Sequence, residues 1–179
     1  MDRPRLEAQL AQLPLYTYAY ISPADLEFTE RVRWICEHEC PMYGKSWACP
    51  PAVGSVEKCK ARCLEFSHCL MIATITEVRD ISDIEETLAT RPDHESITDR
   101  VQEFFREQGI SPYILSSEAC AACASCAVLE GKPCCKPTRM HPCVESHGIN
   151  LLSLLDEMDL AFQYGENVVT WFSLLFFNE

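Results

Sequence analysis

Apolar and polar residues recur along the chain at spacings that predict alternating helices and strands. Leucines three or four positions apart predict a short helix over residues 5–13, and tyrosines at every second position predict a strand over residues 15–21. Ser22 suits a helix N-cap and Pro23 suits the first helical position, so a second helix is expected to run from them to Cys36. The first part of the chain is therefore expected to form helix, strand and helix.

The rest of the chain continues this alternation. Apolar and β-branched residues predict a strand over residues 68–76, an acidic helical pattern covers residues 81–108, and a short strand follows at residues 113–117. A capped helix over residues 151–158 leads to residues 168–177, which are apolar on both alternating faces and so predict a central strand covered on both sides. We therefore expect a single α/β domain over all 179 residues, with one mixed β-sheet of about four strands flanked by helices.

Cysteine usage favours metal ligation over disulfide bonding. A chain of 179 residues can bury a core without covalent staples, and its 12 cysteines, about 7% of the residues, fall below the share found in disulfide-rich miniproteins. The N-terminus lacks the apolar segment of a signal peptide, and the apolar residues 168–177 are too few to cross a membrane. The protein is therefore expected to be cytoplasmic, with reduced thiols and no membrane partner.

Charge sets the cysteine-rich regions apart from the rest of the chain. The formal net charge of −12 argues against nucleic acid as a partner. Residues 31–63 and 118–143, which hold all but one of the cysteines, together carry +4, so the remainder carries −16. Positive charge near the cysteines would help to keep thiols deprotonated and would offset an anionic metal cluster.

The second cysteine loop, residues 118–143, carries the clearest motif. Three cysteines are spaced as C-x2-C-x2-C with small residues between them, so their thiols can turn inward from one tight loop around an iron–sulphur cluster. The spacing to the fourth cysteine is longer than in bacterial ferredoxins, and lysine, not proline, follows Cys135. The predicted ligands of a [4Fe-4S] cluster are Cys120, Cys123, Cys126 and Cys134. Cys134 and Cys135 are adjacent, so one of them is expected to be spare, and Cys143 is a further alternative.

The first cysteine loop, residues 36–63, can enclose a metal ion or a second cluster. Cys36 and Cys40 share a face if the helix continues, and the prolines and glycine after them force an irregular loop that returns Cys49. A further capped helix carries the last two cysteines of the loop on one face. The predicted metal ligands are Cys36, Cys40, Cys49 and Cys59, with Cys63 in reserve. Zinc is the alternative metal, although the two C-x2-C pairs of structural zinc sites are missing from this loop.

The two motifs together resemble a known family. They read Cys36-x3-Cys40-x2-Tyr43-Gly-Lys-Ser-Trp47-Ala-Cys49-Pro-Pro51, then Cys120-x2-Cys123-x2-Cys126, then Pro133-Cys134-x2-Pro137, then Glu145-x2-Gly148-Ile149. In this order they are similar to a family of cysteine-rich predicted metal-binding proteins, a domain of unknown function common in anaerobic bacteria and archaea. The resemblance implies a bound metal in anaerobic metabolism, and it leaves Cys135 and Cys143 out of the ligand set, because other residues are usual there.

The sequence favours an iron–sulphur protein that carries electrons for a redox partner protein, with one cluster or two. No catalytic triad, phosphate-binding loop or dinucleotide-binding fingerprint occurs, so whether the protein is an enzyme stays open. The alternatives are a binding module stapled by zinc or a cluster, and a metallochaperone or reductase that acts on a small molecule or corrinoid. The acidic surface would steer a complementary redox partner.

Overall fold

A four-stranded β-sheet organises the computed structural model, which describes residues 1–179. Its strands are β1 (Thr17–Ile21), β2 (His68–Glu77), β3 (Tyr113–Leu115) and β4 (Val168–Phe177). They lie in the order β1-β2-β4-β3, so β4 is an inner strand, as the apolar residues on both of its alternating faces predict. The predicted α/β fold with one sheet of about four strands is confirmed.

Six α-helices accompany the sheet. They are α1 (Arg3–Leu10), α2 (Glu30–His38), α3 (Val56–Cys63), α4 (Ile84–Ala89), α5 (Arg91–Glu107) and α6 (Leu151–Glu157). The side chains of Ser55 and Asn150 accept hydrogen bonds from the first turns of α3 and α6, so both predicted N-caps are present. None of the helices is both long enough and apolar enough to span a membrane.

The sheet is antiparallel throughout, and the expectation of a mixed sheet was wrong in this respect. All three strand pairs are antiparallel, and β2 and β4 pair along their full length from His68 opposite Phe177 to Glu77 opposite Val168. Helices separate β2 from β3 in the sequence, and the same order occurs where a helical crossover joins two neighbouring parallel strands. In the structure β4 lies between β2 and β3, so those two strands never pair.

The two faces of the sheet are covered by different helices. Leu70 and Ile72 of β2 point toward a core formed with α1 and α5, whereas Met71 and Ala73 point toward a core formed with α6 and the end of α3. Cys69 belongs to the second core and is fully buried, as expected of a packed cysteine and not of a ligand. The first cysteine loop ends with α3, and the second cysteine loop lies between β3 and α6. Both loops therefore connect elements that contribute to this second core.

The predicted helix from Ser22 to Cys36 is interrupted in the structure. A single 3-10 turn at Pro23–Asp25 uses the Ser22 cap, and α2 begins only at Glu30, where the side chain of Thr29 accepts a hydrogen bond from Arg31 N. Between them Phe28 forms an antiparallel bridge with Ile149. The intervening residues are extended because their backbone pairs with the segment that precedes α6.

A buried histidine links α5 to the sheet. His94 Nδ1 lies 2.9 Å from Thr74 Oγ1 of β2, and His94 Nε2 lies 2.8 Å from Ser173 Oγ of β4. The network continues through Ser116 Oγ, which donates to Glu95 Oε1 at 2.6 Å, directly before the second cysteine loop. Burial lowers the pKa of His94 from 6.5 to about 4.

His94 should make folding stability sensitive to acid. Because its folded pKa lies below its unfolded value, its contribution is complete above about pH 6.5 and is lost as the pH falls toward 4, by about 3 kcal/mol in total. Urea unfolding of the wild type and of His94→Gln across this range measures the effect. The variant should show the shallower pH dependence between pH 6.5 and 4, and parallel curves for the two proteins would contradict the assignment.

Candidate metal centre

The second cysteine loop gathers its thiols around one cleft. Cys120, Cys123, Cys126, Cys134 and Cys135 all line a cavity of about 190 Å³. The charged groups of the lining are Lys45 from the first cysteine loop and Lys136 from the second, and no carboxylate lines it. We call this cavity the cluster cleft. It brings together all four ligands predicted for the [4Fe-4S] cluster, together with the adjacent Cys135.

Backbone contacts hold the ends of this loop together. Ser116 N donates to Pro142 O at 2.8 Å, and Val144 N donates to Ser116 O at 3.0 Å, so the chain leaves and re-enters the core at one point. Within the loop, Lys136 Nζ donates to Ala122 O at 2.7 Å. The loop is therefore a closed excursion from the end of β3, tied across its middle by a lysine.

The thiols of the cluster cleft differ in exposure and in pKa. Burial raises the pKa of Cys120, and the neighbouring Cys135 raises the pKa of Cys123, whose Sγ lies 3.4 Å from Cys135 Sγ. Cys134 is partly buried and is close enough to Cys120 to influence its pKa, whereas Cys135 is exposed. Both members of the adjacent pair thus face the cleft, from different depths.

In the first cysteine loop, three of the four predicted ligands lie close to one another. Cys36 and Cys49 are buried, and burial raises the pKa of each thiol to about 11, with smaller contributions from Cys40 in both cases. Cys49 is also influenced by Cys120. The loop thus approaches the cluster cleft, and Trp47 Nε1 joins the two loops by donating to Lys132 O at 3.0 Å.

Cys59, the fourth ligand predicted for this site, has different neighbours. It lies in α3, its Sγ donates to Val53 O at 3.5 Å, and the groups that influence its pKa besides burial are arginines, chiefly Arg33. The reserve ligand Cys63 is fully buried, and burial raises its pKa to about 12. The structure therefore brings Cys36, Cys40 and Cys49 toward one another and places Cys59 beside Cys63.

Arg33 is a central residue of this region that the sequence reasoning missed. Its side chain is only 4% exposed, and it donates to Gly54 O at 2.7 Å, to Ser146 O and to Cys59 Sγ at 3.7 Å. It takes part in no salt bridge with a carboxylate. A buried guanidinium without a carboxylate partner is costly unless anionic groups lie nearby, and thiolates would supply that charge.

Two further groups lie beside the first loop's cysteines. Cys143 is buried and accepts a hydrogen bond from Ser146 N at 3.3 Å, and its pKa, already raised by burial, is raised further by Glu145 and Cys49. Burial raises the pKa of Glu145, and this carboxyl in turn influences Cys36. The sequence signal for Glu145 was its place in the Glu-x2-Gly-Ile motif, which carried no chemical role by itself.

The donor set fits a thiolate-bound metal group. As they stand, the Cys, His, Asp and Glu side chains form no group of three that would hold a single metal ion. The cluster cleft nevertheless offers five soft thiol donors, two lysines and no competing carboxylate, which is a donor set for iron–sulphur clusters or zinc and not for hard cations such as magnesium. Which of the eight predicted ligands bind metal stays a prediction.

Comparison with known proteins agrees with this chemistry. The sequence model of one family, described as predicted metal-binding proteins, matches residues 19–177, which include both cysteine loops. No curated protein and no solved structure matches the chain. The family match covers most of the chain and confirms the resemblance that its cysteine motifs indicated. The chain therefore belongs to the DUF2284 family of predicted metal-binding proteins.

Proposed function

We propose that the protein binds an iron–sulphur cluster in the cluster cleft and transfers electrons to a partner protein. The observation that supports this most is the convergence of five cysteines on one cleft of about 190 Å³. Cys120, Cys123, Cys126 and Cys134 would hold the cluster through their thiolates. When bound, the cluster would supply a one-electron redox centre.

The spread of the thiols favours a cluster over a single ion in this cleft. Four thiolates around one zinc must all reach the same point, whereas the four thiolates of a [4Fe-4S] cluster each bind a different iron. The five cysteines line a common cavity without forming a compact group of three donors. This arrangement suits a bulky metal group better than a single tetrahedral ion.

Charge around the cleft supports an anionic occupant. Lys45 and Lys136 line it, and buried Arg33 lies behind the first cysteine loop without a carboxylate partner. Burial raises the pKa of Cys120, so binding of the cluster must release its thiol proton, and affinity should increase with pH. The lysines offset the negative charge that the deprotonated thiolates leave in the cleft.

Electron transfer to a partner would use the exposed side of the second cysteine loop. Cys123, Cys126 and Cys134 are only partly buried and Cys135 is exposed, so the cluster would lie close to the protein surface. The remaining surface is strongly acidic, which would steer a partner with a basic docking surface. A second cluster or a zinc ion at Cys36, Cys40 and Cys49 would lie next to this redox centre, since Cys49 and Cys120 are neighbours.

Anaerobic purification followed by assays of iron, acid-labile sulphide and zinc tests the proposal. The expected result is iron and sulphide in equal amounts, with a visible chromophore that a reductant bleaches reversibly. Stoichiometric zinc without sulphide would contradict the proposal and would favour the zinc-stapled binding module instead. In that case, removal of the metal should unfold the loops, because ligand binding energy would be folding energy.

A further inference from the structure

A cavity beside the second cysteine loop has an unusual charge for this protein. It measures about 640 Å³, within the size range of small-molecule sites, and lies between α3, the end of α5 and residues 133–142. We call it the arginine pocket. Its charged lining residues are Arg62 and Arg106, and no aspartate or glutamate lines it, although the protein as a whole carries a net charge of −12.

We propose that the arginine pocket binds a small organic anion with two separate negatively charged groups, namely a dicarboxylate. Two guanidinium groups on one cavity can each pair with one anionic group of such a ligand. Neither Arg62 nor Arg106 takes part in a salt bridge within the protein. Both guanidinium groups are therefore available to a ligand.

His141 lies in the wall between the arginine pocket and a second cavity. His141 is buried, and its Nε2 has no hydrogen-bond partner within the protein. The nearest carboxylate oxygen, Asp99 Oδ1, lies 3.9 Å away, beyond hydrogen-bond distance. Buried polar atoms are rarely left unpaired. Asp99 and His141 both line a neighbouring cavity, and Asp99 does not line the arginine pocket, so the Nε2 edge of His141 lies on the side of that second cavity. The anion in the arginine pocket is therefore assigned to the two arginines and not to His141 Nε2.

An organic body, and not a bare inorganic anion, fits the remaining walls. Trp47 and Tyr113 contribute aromatic surface to the pocket, and the Arg62 guanidinium is held over the Tyr113 ring at 4.3 Å from its centroid. Several prolines, including Pro133 and Pro142, also line it. Their restricted backbone favours a pocket that is formed before the ligand binds.

The arginine pocket and the cluster cleft share a wall. Cys134 and Met140 line both cavities. A bound anion would therefore lie on the other side of Cys134 from the cluster cleft. Binding of the anion rests on the two arginines and the aromatic walls alone, so it stands whether or not the metal proposal is correct.

Calorimetric titration of the whole protein, as purified, tests the pocket with three probes. These are isophthalate, a planar aromatic dicarboxylate, its uncharged isostere isophthalamide, and inorganic phosphate. Isophthalate should bind saturably at one site, isophthalamide should not bind, and phosphate should bind more weakly because it lacks the organic body. Equal binding of isophthalamide, tighter binding of phosphate, or no saturable binding of isophthalate would each overturn the proposal.

Matched arginine variants locate the site. Arg62→Gln and Arg106→Gln should each weaken isophthalate binding by about tenfold or more, because each removes one charged hydrogen-bonding group. Both side chains are exposed, so the variants should fold. Arg100→Gln, which changes an exposed arginine on the same helix as Arg106 outside the pocket, should bind like the wild type. A loss in Arg100→Gln equal to that in the other two would show nonspecific attraction and overturn the site.

Discussion

Replacement of Cys123 with serine should abolish the visible absorbance of a cluster bound in the second cysteine loop, whereas replacement of Cys135 should leave it nearly unchanged. Cys123 is the middle thiol of the C-x2-C-x2-C motif, and a hydroxyl is a poor substitute for a soft thiolate ligand. Cys135 is exposed, whereas the adjacent Cys134 is partly buried and lies close enough to Cys120 to raise the pKa of that thiol. The expected iron content of Cys123→Ser is near zero.

Cys135→Ser is the matched control for this experiment, because it removes a thiol from the same cleft. The two sulphurs of Cys123 and Cys135 lie only 3.4 Å apart, so the pair also tests which thiol completes the set. Absorbance spectra and iron analysis of both variants, purified anaerobically, supply the answer. Loss of the chromophore in Cys135→Ser would assign the fourth ligand to Cys135 in place of Cys134.

Gly148→Ala should destabilise the protein by about 3 kcal/mol, the sum of left-handed backbone strain and overpacking. Gly148 has a φ of +74°, and a Cβ there would lie 2.9 Å from Val56 Cγ2 and 3.1 Å from Thr29 O. Gly148 O also accepts a hydrogen bond from Thr29 N at 2.7 Å. The residue therefore lies where the starts of α2 and α3 meet the segment before α6.

Gly131→Ala is the matched control for Gly148→Ala. Gly131 has a similar φ of +65°, but a Cβ there would meet nothing within 4 Å. Only the backbone strain remains, so this variant should lose about 1 kcal/mol. Denaturant unfolding of both variants measures the difference. Equal losses at the two positions would mean that Val56 moves aside without cost and that the close packing at Gly148 is not needed.

The elements of the fold could be predicted well from local pattern, but their arrangement could not. The apolar run of β4 fixes both the strand and its inner position, because a strand buried on both faces has no polar alternation. Nothing local shows that β4 separates β2 from β3. The interruption of the helix before α2 has the same origin, since Phe28 is extended by pairing with Ile149, a partner far along the chain.

In the candidate metal centre, the convergence of the thiols could be predicted where the cysteines lie close together in the sequence. Spacing alone indicates the convergence of Cys120, Cys123 and Cys126, because small residues between them allow one tight turn. The contact of Cys59 with Arg33, which reaches from α2 to that thiol and to Ser146 O, could not be predicted in the same way. Arg33 lies three residues before Cys36, on the same helix face, and this spacing was the available signal.

The inner position of β4 has a consequence for synthesis of the protein. The ribosome makes both cysteine loops before β4, yet β3 can join β1 and β2 in one sheet only through β4. Pairing of β2 with β4 joins residues that are far apart in the chain, and such contacts form slowly. The nascent chain therefore carries all 12 cysteines before its sheet can close. Until the sheet closes, thiols that are not yet packed can be oxidised to non-native disulfides wherever the surroundings are oxidising.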